Sequence, residues 1–84
     1  MPTISSFYGI SIVMRPGGKE HNPPHIHAIM QGKDVPVLIE TGEIMEGSFP
    51  PKGREMVKEF VLIHRDELLE MWETGIFKKL EPLQ

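Results

Sequence analysis

Alternation of hydrophobic and polar residues dominates the first half of the chain. Alternation with β-branched residues is typical of strands that bury one face. QGKD, residues 31–34, and TGE, residues 41–43, have the composition of turns. EIMEG, residues 43–47, is a candidate short fourth strand. The three predicted strands are YGISIVMR (8–15), HIHAIM (25–30) and VPVLIE (35–40).

The second half follows a helical period instead. From Arg54 to Thr74 there is no Gly or Pro, and Gly75 is a plausible stop. One helix of about 20 residues would span roughly 30 Å, longer than so small a sheet, so two helices broken at 64–66 are the alternative. Ile76, Phe77 and Leu80 are expected to dock the C-terminal tail. The predicted apolar arc comprises Met56, Val57, Phe60, Val61, Ile63, His64, Leu68, Met71 and Trp72, with Leu62 and Leu69 outside it.

These elements predict a single α+β domain over residues 1–84. It would contain a three- to four-stranded, mainly antiparallel sheet, followed by one or two C-terminal helices packed on one face. The second strand would place Ile26, Ala28 and Met30 under the helices, and His25 and His27 on the opposite, helix-free face. Pro36 lacks an amide hydrogen, so its amide side should face a sheet edge or a bulge.

Composition limits the class of protein. The 84 residues are 39% hydrophobic and 25% charged, which are ordinary globular values. No apolar run approaches a membrane span and the N-terminus lacks the pattern of a signal peptide, so we expect a cytoplasmic protein without a membrane partner. Without cysteine, a metal would need His and carboxylate ligands.

Charge is unevenly divided along the chain. Residues 1–39 carry three basic and two acidic side chains, a balance of +1, whereas residues 40–84 carry six basic and ten acidic side chains, a balance of −4. Phosphate backbones are held mainly by Lys and Arg. If the protein binds RNA, we therefore expect the N-terminal half to bind it.

The segment HNPPHIHA, residues 21–28, carries the candidate chemistry. His25 and His27 lie two residues apart on one strand face, about 6.5 to 7 Å between Cα atoms. Both imidazoles could therefore bind one divalent metal ion, with His21 or Glu20 as a third ligand.

A second hypothesis needs no cofactor. His25, His27 and Arg15 supply the proton-transfer groups and the cation of a metal-free ribonuclease, if they converge. His21, Asn22 and Lys33 are then candidates for binding a substrate or partner.

Two further interpretations stay open. The prolines could simply hold the chain extended before the strand while the histidines bond to loop carbonyls. Alternatively, the open face could be an interaction surface, since it also carries Val13, Ile29 and either Val37 or Leu38. It would then be covered by a second copy or by a small partner protein.

The motifs MPTISSFYGISI, HNPPHIHA, TGEIMEG, HRDELLEMW and KKLEP together resemble the bacterial family catalogued as domain of unknown function 4160. The positions that match its motif are His21, Asn22, Pro23, Pro24, His25, His27 and Trp72, whereas RPGGKE departs from the shorter polar turn of many relatives.

The resemblance implies a small cytoplasmic protein, often encoded beside a member of the domain of unknown function 2442 family. Gene pairs of that kind are commonly proposed to encode a toxin and its antitoxin. The resemblance therefore favours a toxin-like component that acts on RNA or on a protein target. A non-catalytic partner-binding or regulatory module is the alternative, and a His-based metal-binding protein is a lesser one.

Overall fold

The computed structural model describes residues 3–15 and 23–84. The strands form one four-stranded sheet in sequential order, and each is antiparallel to the next. Two helices follow the sheet, so the α+β prediction is confirmed. The elements are β1 (Thr3–Phe7), β2 (Ile10–Val13), β3 (His25–Met30), β4 (Lys33–Leu38), α1 (Pro51–Ile63) and α2 (Arg65–Thr74).

Two-residue turns join β1 to β2 and β3 to β4. Tyr8 and Gly9 have φ values of 51° and 80°, and Gln31 and Gly32 have 50° and 80°. Positive φ at both positions is the pattern of a type I′ hairpin, whose twist suits the flanking strands. The predicted strand over residues 8–15 is therefore shortened, because its first residues form a turn.

The fourth strand of the sheet is not the one predicted. It is β1, whose sequence TISSF gave no strong strand signal. Residues 43–47 contribute only one bridge, between Ile44 and Val37. Leu38 N donates to Glu43 O at 2.8 Å and Met45 N donates to Pro36 O at 2.9 Å. This segment thus lies along the outer edge of β4, and the amide side of Pro36 faces that edge, as predicted.

The helical region is broken at His64, as the length of the pattern suggested. His64 has φ −106° and ψ 19°, and it ends α1 and precedes α2. α1 begins with a proline at its first helical position, where a missing amide hydrogen costs nothing. α2 ends at Gly75, which has the left-handed φ of 72°. Neither helix in the described ranges is long and apolar enough to cross a membrane.

The core lies between the helices and one face of the sheet. Phe60 of α1 is fully buried and its ring centroid lies 5.1 Å from that of Phe7. Leu80 of the C-terminal tail is buried and donates from its backbone to Ile4 O at 2.9 Å, as docking of the tail requires. The core members are Ile4, Phe7, Ile10, Ile12, Met14, Ile26, Ala28, Val35, Val37, Ile39, Phe49, Val57, Phe60, Val61, Leu68, Met71, Trp72 and Leu80.

Two apolar residues expected to be buried are exposed. Ile63 is 61% exposed because α1 ends there and the chain changes direction at the next residue. Ile76 is 74% exposed, whereas Phe77 and Leu80 pack against the core. The helical wheel assumed one continuous helix, and its assignment therefore fails at the break.

Candidate functional site

His27 occupies the centre of the candidate site, in the middle of β3. Its cross-strand neighbours are Val13 on β2 and Pro36 on β4. Alternation along β3 turns its side chain away from the helices, because Ile26 and Ala28 on either side are core residues. The side chain is 16% exposed. The ring is therefore held by the sheet yet still reaches the surface.

Arg15 and Asp34 both contact this imidazole. His27 Nδ1 lies 3.0 Å from Asp34 Oδ1. Arg15 Nη1 lies 2.9 Å from Nδ1 and 3.2 Å from Nε2. The other guanidinium nitrogen, Nη2, donates to Asp34 Oδ2 and completes an ion pair. Arg15, His27 and Asp34 are hereafter called the Arg–His–Asp cluster.

The chemistry of the three groups assigns the protons. A carboxylate only accepts, so Nδ1 carries the hydrogen and donates it to Asp34. A guanidinium only donates, so in this tautomer the lone pair is on Nε2 and only the 3.2 Å contact can be a hydrogen bond from Arg15, whereas the 2.9 Å contact with Nδ1 is not one. The cluster thus holds a neutral imidazole in one tautomer, with its basic nitrogen against a cation.

Electrostatics favour the same state. Burial lowers the pKa of His27 below 6.5, the positive charge of Arg15 lowers it further, and the hydrogen bond to Asp34 only partly opposes this. For Asp34, burial acts to raise the pKa, but hydrogen bonds from Arg15 and His27 outweigh it and hold the pKa below 3.8. Near neutral pH the cluster therefore contains a neutral imidazole between a carboxylate and a guanidinium.

His25 is the second imidazole of the face, and the proline pair positions it. His25 Nδ1 donates to Pro23 O at 2.9 Å, which leaves Nε2 as the acceptor nitrogen of the neutral ring. The Pro24 carbonyl accepts from Ile39 N at 3.1 Å. Both proline carbonyls are thus used, one to orient His25 and one to fix the start of β3 against the end of β4.

His25 also corrects the prediction of a helix-free face. Its ring centroid lies 5.3 Å from that of His27 and 5.1 Å from that of Trp72 in α2. The two histidines share a face, as predicted, but a helix residue packs against His25. Among the described residues, the ring of His25 packs against a helix residue and the ring of His27 does not.

The structure does not bring every candidate residue to this cluster. Lys33 pairs with Met30 across the β3–β4 turn, so alternation places it on the helix side of the sheet, away from His27. His21, Asn22 and Glu20 lie outside the described residues. Their predicted roles in substrate, partner or metal binding stay predictions.

The described residues offer no further metal ligand beside His25 and His27. Within residues 3–15 and 23–84 there is no group of three or more His or carboxylate side chains that could hold a metal ion. Both nitrogens of His27 already face Asp34 and Arg15, and a guanidinium at that distance repels a second cation. A metal on His25 and His27 would first have to displace Arg15.

Asp34 is the residue of this site that sequence reasoning missed. It was assigned to a four-residue turn, whereas the turn is only Gln31 and Gly32. A two-residue turn pairs Ile29 with Asp34 and places the carboxylate on the histidine face, diagonal to His27. Reading QG as a type I′ hairpin would have identified this position from the sequence.

Comparison with known proteins identifies the family of the chain. A family model described as "Domain of unknown function (DUF4160)" matches residues 9–73. The chain belongs to this DUF4160 family. The match contains Arg15, Asp34 and both histidines of the sheet face, together with both helices up to Glu73. No curated protein and no solved structure matches the chain.

Proposed function

We propose that this DUF4160 protein is a toxin-like component of a two-gene module and that it cleaves RNA at the histidine-bearing sheet face. One observation carries the proposal: Arg15 and Asp34 both contact His27, whose pKa burial and the charge of Arg15 lower. The two-gene context rests on resemblance to the family alone. The chemistry rests on the cluster.

The cluster and the neighbouring His25 together contain the groups that metal-free RNA cleavage requires. His27 Nε2 accepts the proton of the 2′-hydroxyl, which attacks the adjacent phosphorus while the bond to the 5′ oxygen breaks. Arg15 stabilises the charge that develops on the phosphoryl oxygens. His25, in its protonated form, gives its proton to the departing 5′ oxygen. The products are a 2′,3′-cyclic phosphate and a 5′-hydroxyl, and no water or metal enters the step.

Asp34 is a positioning residue in this mechanism. Its carboxylate keeps the hydrogen of His27 on Nδ1 and stabilises the imidazolium that forms when Nε2 takes up a proton. A bound phosphate would draw Arg15 away from Nε2 and expose the lone pair. Arg15 belongs to the half of the chain with the positive charge balance, where we expect RNA to bind.

The test uses purified protein and a short single-stranded RNA in the presence of EDTA, with the matching 2′-deoxy strand as the control substrate. We expect cleavage of the RNA alone, with cyclic phosphate ends, and a loss of about 10²- to 10⁴-fold in His27→Ala. Glu70→Gln, at an exposed position of α2, is the control variant. Cleavage that survives His27→Ala would overturn the proposal.

Growth provides an independent readout of the same proposal. Induced expression of the wild type is expected to arrest growth, and His25→Ala or His27→Ala to relieve the arrest while the protein still accumulates in folded form. If cells that express any of the three proteins grow equally well, and the RNA stays intact in the purified assay, the toxin-like function is refuted.

A partner-binding or regulatory module is the second candidate. Half-buried Ile29, Pro36 and Leu38 share the face of the histidines, and the Arg15–Asp34 ion pair is already satisfied there. Such a surface suits a second copy or a small partner protein. A dimer in sedimentation that Ile29→Ser dissociates, with no RNA cleavage, would favour this alternative.

The lesser alternative is a divalent metal site on His25 and His27. Addition of zinc or nickel to purified protein should then raise its melting temperature, and His25→Ala should abolish that rise. The same temperature with and without metal would remove this hypothesis.

A further inference from the structure

The end of α1 carries two large aliphatic side chains that the fold leaves exposed. Leu62 is 45% exposed and Ile63 is 61% exposed. They are adjacent in sequence and stand where the chain breaks between α1 and α2. Single exposed aliphatic residues are common on protein surfaces, but an adjacent pair at a helix junction needs a reason.

Shallow depressions flank this pair on both sides. One is lined by Glu55, Lys58 and Glu59 of α1 together with the two aliphatic residues. The other is lined by residues 62–67, which add Arg65, Asp66 and Glu67 of α2 to the two aliphatic residues. The pair therefore forms a ridge with a depression on each helix. A helix or short segment of another protein could lie in either depression while covering the ridge.

The charges around the ridge are unbalanced. Among the described residues, Glu55, Glu59 and Asp66 take part in no ion pair. Of the two cations that line the depressions, Lys58 is already paired, with Nζ 2.7 Å from Glu43 Oε2. Arg65 Nη1 donates to the backbone oxygen of Glu40 at 3.0 Å and keeps its charge. The two depressions are thus lined by four carboxylates and two cations, an excess of two negative charges.

We propose that Leu62, Ile63 and these carboxylates form a docking surface for a basic amphipathic helix of a partner protein. Its apolar side chains would cover the ridge, and flanking Lys or Arg residues would pair with Glu55, Glu59 and Asp66. The surface shares no residue with the Arg–His–Asp cluster. The proposed docking can therefore be tested independently of RNA cleavage.

The same charges disfavour other occupants. Phosphates of a nucleic acid and anionic lipid headgroups would be repelled by the carboxylates. A second copy that used the same surface would bring the exposed carboxylates of Glu55, Glu59 and Asp66 of one chain near those of the other. The same carboxylates would attract a basic partner.

The test uses two labelled synthetic helices with the same leucine stripe, one flanked by lysines and the other by glutamates. Binding to the full chain is followed by fluorescence anisotropy, and amide shifts in two-dimensional NMR locate the site. We expect the lysine peptide to bind at least about tenfold more tightly than the glutamate peptide and to shift residues 59–66.

Matched variants separate this surface from general attraction to an acidic protein. Ile63→Ser should weaken binding of the lysine peptide by about tenfold, whereas Ile76→Ser, which removes an even more exposed isoleucine elsewhere, should leave it within about twofold. Glu59→Gln should weaken binding and reduce its salt dependence, and Glu46→Gln should not.

Three results would overturn the proposal. The first is equal binding of the two peptides, and the second is equal sensitivity to Ile63→Ser and Ile76→Ser. The third is a dimer of the free chain that Ile63→Ser dissociates, which would make a second copy the occupant of this surface.

Discussion

Replacement of Asp34 by asparagine tests the Arg–His–Asp cluster most directly. Asparagine keeps the shape and one acceptor oxygen but removes the charge. The hydrogen bond and charge of Asp34 act to raise the pKa of His27 against the effect of burial. We therefore expect the pKa of His27 to fall further in Asp34→Asn. Arg15→Gln should move it in the opposite direction, because the charge of Arg15 lowers it.

The expected loss of stability follows from the exposure of the pair. The side chains of Arg15 and Asp34 are 37% and 39% exposed, so water screens their ion pair. Such a pair contributes about 0.2–1 kcal/mol, and weakening the hydrogen bond from His27 adds up to about 1 kcal/mol. A net loss of about 1 kcal/mol corresponds to a decrease of roughly 4–8 °C in melting temperature for a domain of this size.

The assay combines NMR titration of the His27 ring protons with urea unfolding of the wild type and both variants. Asp66→Asn is the matched control, because Asp66 is exposed and its carboxylate forms no ion pair among the described residues. It should stay within about 0.5 kcal/mol of the wild type. Shifts of His27 in the same direction in Asp34→Asn and Arg15→Gln would refute the assigned tautomer and charges.

Four further predictions concern stability. Phe60→Ala should cost about 3–5 kcal/mol in urea unfolding, because the ring is fully buried against Phe7; a loss below 1 kcal/mol would contradict the described core. Gly75→Ala should lower stability by about 1 kcal/mol, since φ is 72° there, and thermal unfolding measures it. Tyr8→Asn should increase the free energy of unfolding by about 0.5 kcal/mol and so raise the melting temperature, because an exposed tyrosine occupies a left-handed turn position. Stability should fall as pH drops from 6.5 towards the lower folded-state pKa of His27, because the unfolded chain binds more protons there; His27→Gln should flatten that slope in urea titrations.

Local patterns predicted much of the fold. The alternation in HIHAIM gave β3 with the bounds that the structure has and put both histidines on one face. The length of the helical pattern indicated a break at 64–66 as the alternative to one helix, and the structure has that alternative; Gly75 ends α2 as expected. These features depend on residues within one or two turns or strands of each other, which is the range over which periodicity and capping act.

Several of the errors concern strand pairing and contacts between separate elements. β1 has two serines in five residues, and the sheet holds it through pairing with β2 and the backbone contact from Leu80. The contact of Trp72 with His25 joins α2 to β3, and no local pattern encodes it. Asp34 required the hairpin register, which depends on whether the turn has two residues or four.

The exposure of the Arg15–Asp34 pair also bears on the proposed RNA cleavage, which requires Arg15 to leave Asp34 and bind a substrate phosphate. If this pair were buried, breaking it would cost about 3–5 kcal/mol and Arg15 would be fixed as structure. With more than a third of each side chain in water, the pair contributes at most about 1 kcal/mol, and a phosphate offers the guanidinium two charge-assisted hydrogen bonds in return. Exchange of Asp34 for a phosphate is therefore energetically accessible. It would leave Asp34 bonded to Nδ1 of His27 while Nε2 becomes free, which is the arrangement that proton transfer requires.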